Sequence, residues 1–203
     1  MKKKYKLTEE SISYNGKTLY RIESVRDFSN NFSEVKKGQK GGFIESEYNL
    51  SHEGDAWVYY NAKVFGNARV FGNANIHDNA CIFGNARVYD YALVSGNSCV
   101  CDNAWVFGNA NVSGKALVSG NAKVSGDAHV CADEDYIVFK NWWSSLRYFT
   151  WTRSNNMWKV GCFYGTGEEL IKKAYKDSEK SGREYERVVK YVESILSDEK
   201  KYI

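Results

Sequence analysis

The chain has no proline, only three histidines, no Cys-x-x-Cys pair, no strong charge imbalance and no apolar run of membrane length. Each absence removes a class of reading. Without proline, the tight corners fall to the 17 glycines. Lys+Arg number 28 against Asp+Glu 25, a net charge of +3. That balance excludes a strongly acidic nucleic-acid mimic and is too mild for general nucleic-acid binding. No stretch approaches the ~20 apolar residues of a membrane helix, so no membrane partner is expected. The start MKKKYKLTEES is basic but lacks the apolar run of a secretion signal. Five cysteines, an odd number without disulfide-framework spacing, fit a reducing cytoplasm.

What is present is a period of six. Thirteen consecutive units run from Gly54 to Cys131 without insertion or deletion, from GDAWVY to GDAHVC. The third position is alanine except at Ser98, and the fifth is valine except at Ile76 and Ile82. Two apolar residues two apart share one face of a short strand. That face turns inward, and its small side chains imply a narrow interior. The Gly-Asn or Asp-Asn pair between strands marks a corner, because Gly, Asn and Asp tolerate positive φ best. Strand and corner every six residues make a coil of triangular section, eighteen residues per turn. From Gly42 to Glu53 the pattern is degraded but legible, with Phe43, Ile44 and Leu50 expected inside.

The V-x-G-N-A-x register of Val64 to Arg69 and its companions resembles the hexapeptide-repeat, left-handed parallel β-helix proteins. The left hand is implied by that resemblance and not by the period. The expected fold is mainly β: a left-handed parallel β-helix of about five coils, an N-terminal β cap, and a C-terminal α+β cap ending in two helices. Three regions are expected, 1–41, 42–135 and 136–203. In the first, Asn15-Gly16 between alternating segments signals a two-residue hairpin. In the last, Tyr136 to Lys140, Arg147 to Thr152 and Met157 to Val160 read as strands, in a stretch that includes Trp142, Trp143, Trp151 and Trp158. Thr166 and Glu169 have capping-box spacing, and Ser181-Gly182 is expected to separate two amphipathic helices. The helical hairpin, packed on the small sheet, is expected to close the coil.

Units three apart share an outer face. One face collects Arg69, Arg87, Trp105 and Lys123 beside Phe71, Tyr89 and Phe107. A second collects Lys63, Cys81, Cys99 and Leu117 beside Phe65, Phe83 and Cys101. The third collects Trp57, Asn75, Leu93, Asn111 and His129 beside Tyr59, His77, Ser95 and Ser113. Outward aromatic ladders are costly in water, so neighbouring subunits or the terminal caps are expected to cover them. The Arg/aromatic face is also the expected ligand site, Arg69, Arg87, Tyr89 and Trp105, for a planar or anionic ligand. Cys81 and Cys99 lie one coil apart and read as a side-chain ladder. No metal is expected there, since structural zinc takes four ligands.

The family resemblance also covers GGFIESEYNLSHEGDAWV at the entry and WKVGCFYGTGEEL at the exit, which are similar to small phage, prophage and gut-bacterial members often labelled transferase. It implies a mobile-element origin and a homo-oligomer, with a trimer favoured. It also suggests an enzyme class. Acyltransferases of this family use a histidine base and an acyl-CoA donor, and His77, beside Asp78, is the candidate. Their donor pockets come from loops that interrupt the coil, and 54–131 has none. Carbonic anhydrases of this fold hold zinc through an H-x4-H pair, which is missing. The leading expectation is a non-enzymatic, oligomeric binding protein without cofactor that sequesters a small anionic ligand or a host protein. The alternatives are an acyltransferase using His77 and a structural component of a phage or cell assembly.

Overall fold

In the computed structural model, residues 3–142 and 144–199 are described. The chain divides into two compact units. The first runs to Tyr136 and includes Arg153–Asn155; the second holds Ile137–Thr152 and the chain from Asn156 onward.

The first unit is a β-solenoid of about five turns. Its strands are mostly two residues long, such as Arg69–Val70, and pair in parallel with the strand eighteen residues on. Three sheets result, of four, five and seven strands. Every alanine and valine of the repeat, from Ala56 and Val58 to Ala128 and Val130, is fully buried. The one serine among the alanines, Ser98, is buried too; its hydroxyl donates to the Ser95 carbonyl at 2.7 Å, which removes the cost of an unpaired polar group.

Corner chemistry follows the repeat letter by letter. The first residue of all thirteen units has positive φ. Glycine fills most of these corners. At the corner of Gly114, a Cβ would lie 2.6 Å from the Cys131 carbonyl oxygen of the next turn, so a side chain is excluded. Aspartate fills three corners, and each carboxylate has a task there. Asp78, Asp90 and Asp102 accept the N–H of Gly96, Gly108 and Gly120 one turn on, at 2.9–3.2 Å. The asparagines of the second position form ladders, Asn67 to Asn85 to Asn103, each step 3.1 Å. Tyr60 is the exception, a bulky ring at φ 50. That conformation costs an L-residue about 1–2 kcal/mol.

The two ends of the coil are capped with opposite polarity. Outside the strand pairs, bonds between turns run from the N–H of one turn to the C=O of the next, as from Trp57 to Ala74 at 3.0 Å and Tyr59 to Ile76 at 2.8 Å. The first turn is therefore left mainly with carbonyls and the last mainly with N–H groups. Donors meet the first: the buried Lys4 ammonium reaches the Gly54 and Ala56 carbonyls (3.1 and 2.8 Å), and Asn49 Nδ2 reaches Gly66 and Ala68. Acceptors meet the last: Asp133 takes the Leu117 N–H, Ser154 Oγ that of His129, and Asp135 those of Cys131 and Ala132. An open sheet edge would template aggregation, and these side chains close it.

The N-terminal segment supplies β1 (Tyr5–Tyr14) and β2 (Lys17–Ser24), joined through Asn15 and Gly16, both at positive φ, as the hairpin signal requires. A small hairpin of β3 (Phe28–Ser29) and β4 (Glu34–Val35) follows. Strand β5 (Lys40–Ile44) then pairs antiparallel with β2 and parallel with Lys63–Val64, leading the chain into the coil. Ile44 and Leu50 are buried as expected. Phe43 is a correction: it is in register with the outward-facing Lys63 and packs outside the coil against Leu19, Phe65 and Cys81. Adjacent strand residues face opposite ways, so Phe43 and Ile44 cannot both enter the interior.

In the second unit a four-stranded sheet includes Tyr148–Thr152 and Met157–Val160, plus a short strand, Phe163–Gly165, that the sequence did not signal. Helices α1 (Gly167–Asp177) and α2 (Glu179–Glu199) pack on it through Leu170, Ala174, Tyr185, Val189 and Val192 against Phe149, Trp151 and Trp158. The Thr166–Glu169 capping box is formed. Ser181-Gly182 is not the break between helices. Ser178 is, ending α1 and accepting the Ser181 N–H through its hydroxyl, which caps α2. Gly182 sits inside α2 because a Cβ there would collide with the Tyr175 ring, so it marks close helix packing instead of a turn. Trp142 is exposed, and Trp143 lies outside the described residues.

Candidate functional site

The three outer faces meet different fates. On the second face, Phe65 and Phe83 stack at 5.3 Å, and β1–β2 folds over them. Tyr14 packs edge-on to Phe65 and lies 4.0 Å from Cys81 Sγ. Cys81 and Cys99 are register partners, as expected of a ladder. Burial pushes the thiols of Cys81 and Cys101 up to about 11, which keeps them protonated and poorly nucleophilic. Among the described residues no group of three or more His, Cys, Asp or Glu side chains could hold a metal ion.

On the third face the β3–β4 hairpin is the cover. Phe28 meets Trp57 edge-on at 5.4 Å. Asn30 Nδ2 donates to the Tyr59 hydroxyl at 2.9 Å, and Ser33 Oγ lies 2.8 Å from the same oxygen. His77 stacks on Tyr59 at 4.1 Å, with Phe32 edge-on at 5.7 Å. Its Nε2 is buried without a hydrogen-bond partner. Burial lowers its pKa below the usual histidine value, against a smaller opposite pull from Asp78. Asp78 does not orient the ring as a triad carboxylate would; its Oδ2 accepts the Gly96 N–H.

The first face keeps Arg69 and Arg87 exposed, and it brings Arg69, Arg87, Tyr89 and Trp105 together. Arg69, Arg87, Trp105 and Lys123 lie in register on four neighbouring strands. Beside them Phe71, Tyr89 and Phe107 stack in one column at 4.8 and 4.9 Å with planes within 2°. Burial raises the Tyr89 phenol pKa, so the ring stays neutral. The cations rest on aromatic faces: Arg87 Cζ 5.0 Å and Lys123 Nζ 4.5 Å from the Trp105 centroid, Arg69 Cζ 5.1 Å from Tyr48 and 5.8 Å from Phe71. Contacts of this kind contribute about 0.5–1 kcal/mol at exposed sites and hold the charges in place. Arg69 and Phe71 also line a hollow of about 270 Å³ with Ser51, Glu53, Gly54 and Gly72. Tyr48 and Glu53 escaped the sequence reading because they precede the regular repeat. Only the degraded units at 42–53 signalled that the coil already runs there.

A family model, the YdcK beta solenoid repeat, matches residues 80–96. The similarity is to a β-solenoid repeat family. It covers less than one eighteen-residue turn and includes Arg87 and Tyr89, and it shows the repeat architecture, not an activity. No curated protein matches the chain. Among the described residues no helix is long and apolar enough to cross a membrane.

Proposed function

We propose that this chain is a binding protein, not an enzyme, and that it captures a planar or anionic ligand on the face of Arg69, Arg87, Tyr89 and Trp105. One observation carries the reading: Arg69 and Arg87 on this face are exposed, while the N-terminal hairpins pack on the first turns of the other two faces, over Phe65 and Cys81 and over Tyr59 and His77. Exposed guanidiniums over flat rings suit stacking and charge recognition together. The resemblance to left-handed hexapeptide-repeat proteins supports a trimer. It likewise supports a phage or prophage source, in which sequestering a ligand or a host protein in the bacterial cytoplasm is the natural role. No cofactor is part of this reading.

The competing acyltransferase reading needs His77 to reach a substrate proton. The ring is instead stacked under the chain's own Tyr59 and Phe32, which favours binding over catalysis. The test combines capture and turnover. The protein is titrated with a panel of aromatic carboxylates, sulfates and phosphates, and incubated with acyl-CoA. The expected result is capture that Arg87→Glu abolishes, and no acyl transfer. CoA-dependent acylation lost in His77→Ala would overturn the proposal.

A further inference from the structure

The hollow of about 270 Å³ beside Arg69 is lined by two opposite charges, Arg69 and Glu53, that do not pair with each other. Among the described residues neither the guanidinium nor the carboxylate has an ion pair or a hydrogen bond. Both are nonetheless held. The Arg69 guanidinium lies 5.1 Å from the Tyr48 ring and 5.8 Å from that of Phe71. The Glu53 N–H donates to Ser51 Oγ at 3.0 Å, which sets the bend that carries its carboxylate. The backbone of the hollow adds a free donor. Gly54, Gly72, Asp90 and Gly108 form one column of corners at eighteen-residue spacing, and the Asp90 carboxylate accepts the Gly108 N–H at 3.2 Å. One turn before Gly72 the corner is Gly54, which has no carboxylate, and among the described residues the Gly72 N–H has no acceptor. A Cβ at Gly54 would collide with the Gly72 carbonyl, so the chain cannot supply the acceptor from that corner.

We infer that this hollow takes a free α-amino acid with an apolar side chain: the carboxylate on Arg69 and the Gly72 N–H, the ammonium on Glu53, the side chain against Phe71. The inference rests on the binding-face reading through the exposed Arg69 and gives that end of the face a ligand class. Charge selects the class. A simple anion drawn by Arg69 is repelled by Glu53, and a simple cation meets the reverse. A ligand that carries both signs close together gains from both. The arginine fork matches the two oxygens of a carboxylate, and an ammonium brings three donors to a carboxylate that has none. The volume is below the ~300–1,000 Å³ of pockets for drug-sized ligands, which suits a molecule of this size.

L-Leucine, isocaproate and isoamylamine share one branched chain; isocaproate lacks the ammonium and isoamylamine the carboxylate. Calorimetric titration at pH 7 and low salt should show leucine binding at least about tenfold tighter than either, the effect of one charge-assisted hydrogen bond. Arg69→Gln and Glu53→Gln should each weaken leucine about tenfold or more with the circular dichroism spectrum unchanged, while Arg147→Gln in the second unit should not. Glu53→Gln should also strengthen isocaproate, because the repelling carboxylate is gone; a merely structural role for Glu53 would weaken every ligand alike. Benzoate, titrated alongside, reads the wider face. Leucine failing to bind while benzoate binds, and is lost in Arg87→Glu, would overturn the amino-acid assignment and keep the binding face. Isocaproate binding as tightly as leucine would overturn the assignment as well. Leucine binding without benzoate would keep the hollow and overturn the wider face, and binding of neither would overturn both.

Discussion

The face carrying Phe65, Cys81 and Phe83 and the face carrying Phe71, Tyr89 and Phe107 both stack aromatic rings outward at one-turn spacing, at 5.3 Å and at 4.8–4.9 Å. On the first, β1–β2 lays Leu19, Ile12 and Tyr14 over the rings, and the face's cation, Lys63, sits 5.1 Å from the Tyr14 ring of the cap. On the second, Arg69 and Arg87 stay exposed, and the cations rest on Tyr48 and on the face's own Phe71 and Trp105. The repeat sets up equivalent ladders. The antiparallel pairing of β2 with β5 decides which of them becomes core.

The sharpest way to break this comparison is to truncate one ring on each face. Phe43→Ala, in the covered cluster, should cost about 3–5 kcal/mol, the usual range for emptying a buried aromatic site. Phe71→Ala, on the open face, should cost no more than about 1.5 kcal/mol, the value of a stacked pair. Urea denaturation of both variants measures the two costs. Equal losses would show that the open face is structural core and would remove its status as a binding site.

The cap itself gives a second test, through pH. Burial lowers the Lys4 pKa to about 8 from 10.5, opposed by the nearby Asp55. The folded state therefore binds fewer protons than the unfolded state between those values, and the lysine's contribution to stability rises with pH across that window. It is fully present above 10.5 and lost as pH falls through about 8. The span corresponds to about 3 kcal/mol. Cys81 and Cys101 titrate with the opposite sign near there, so the readout is the difference between wild type and Lys4→Met. That difference should grow in favour of wild type from pH 8 to pH 10.5. A flat difference would mean that Lys4 is not buried against the carbonyls of the first turn.

The smallest effect belongs to Tyr60, at the corner beside the covered His77. Its positive φ is strained for tyrosine and natural for glycine. Tyr60→Gly should raise stability by about 1 kcal/mol, seen as a higher denaturation midpoint at an unchanged slope. A loss instead would mean that the ring helps hold the β3–β4 cover on its face.

The repeat was legible because its two constraints are local. A period of two places Ala and Val on one side of a strand, and a corner every six residues needs residues that tolerate positive φ. From these, the coil, the identity of its interior and the phase of Arg69, Arg87, Tyr89 and Trp105 follow without coordinates. The Asn15-Gly16 turn and the Thr166 cap were readable for the same reason, since turn and cap chemistry act within four residues. What lay beyond the sequence depends on contacts between distant segments. Phe43 turns outward because β2 pairs with β5, Gly182 is kept small by the Tyr175 ring, and Lys4 is buried by carbonyls fifty residues away. The covering of His77 by Phe32, and the exposure of Arg69 and Arg87, are likewise tertiary facts. Periodicity determines which side chains share a face. Only the path of the non-repeating segments decides which face meets solvent, because the hydrophobic cost of an exposed ladder is the same on each face until another segment packs against it.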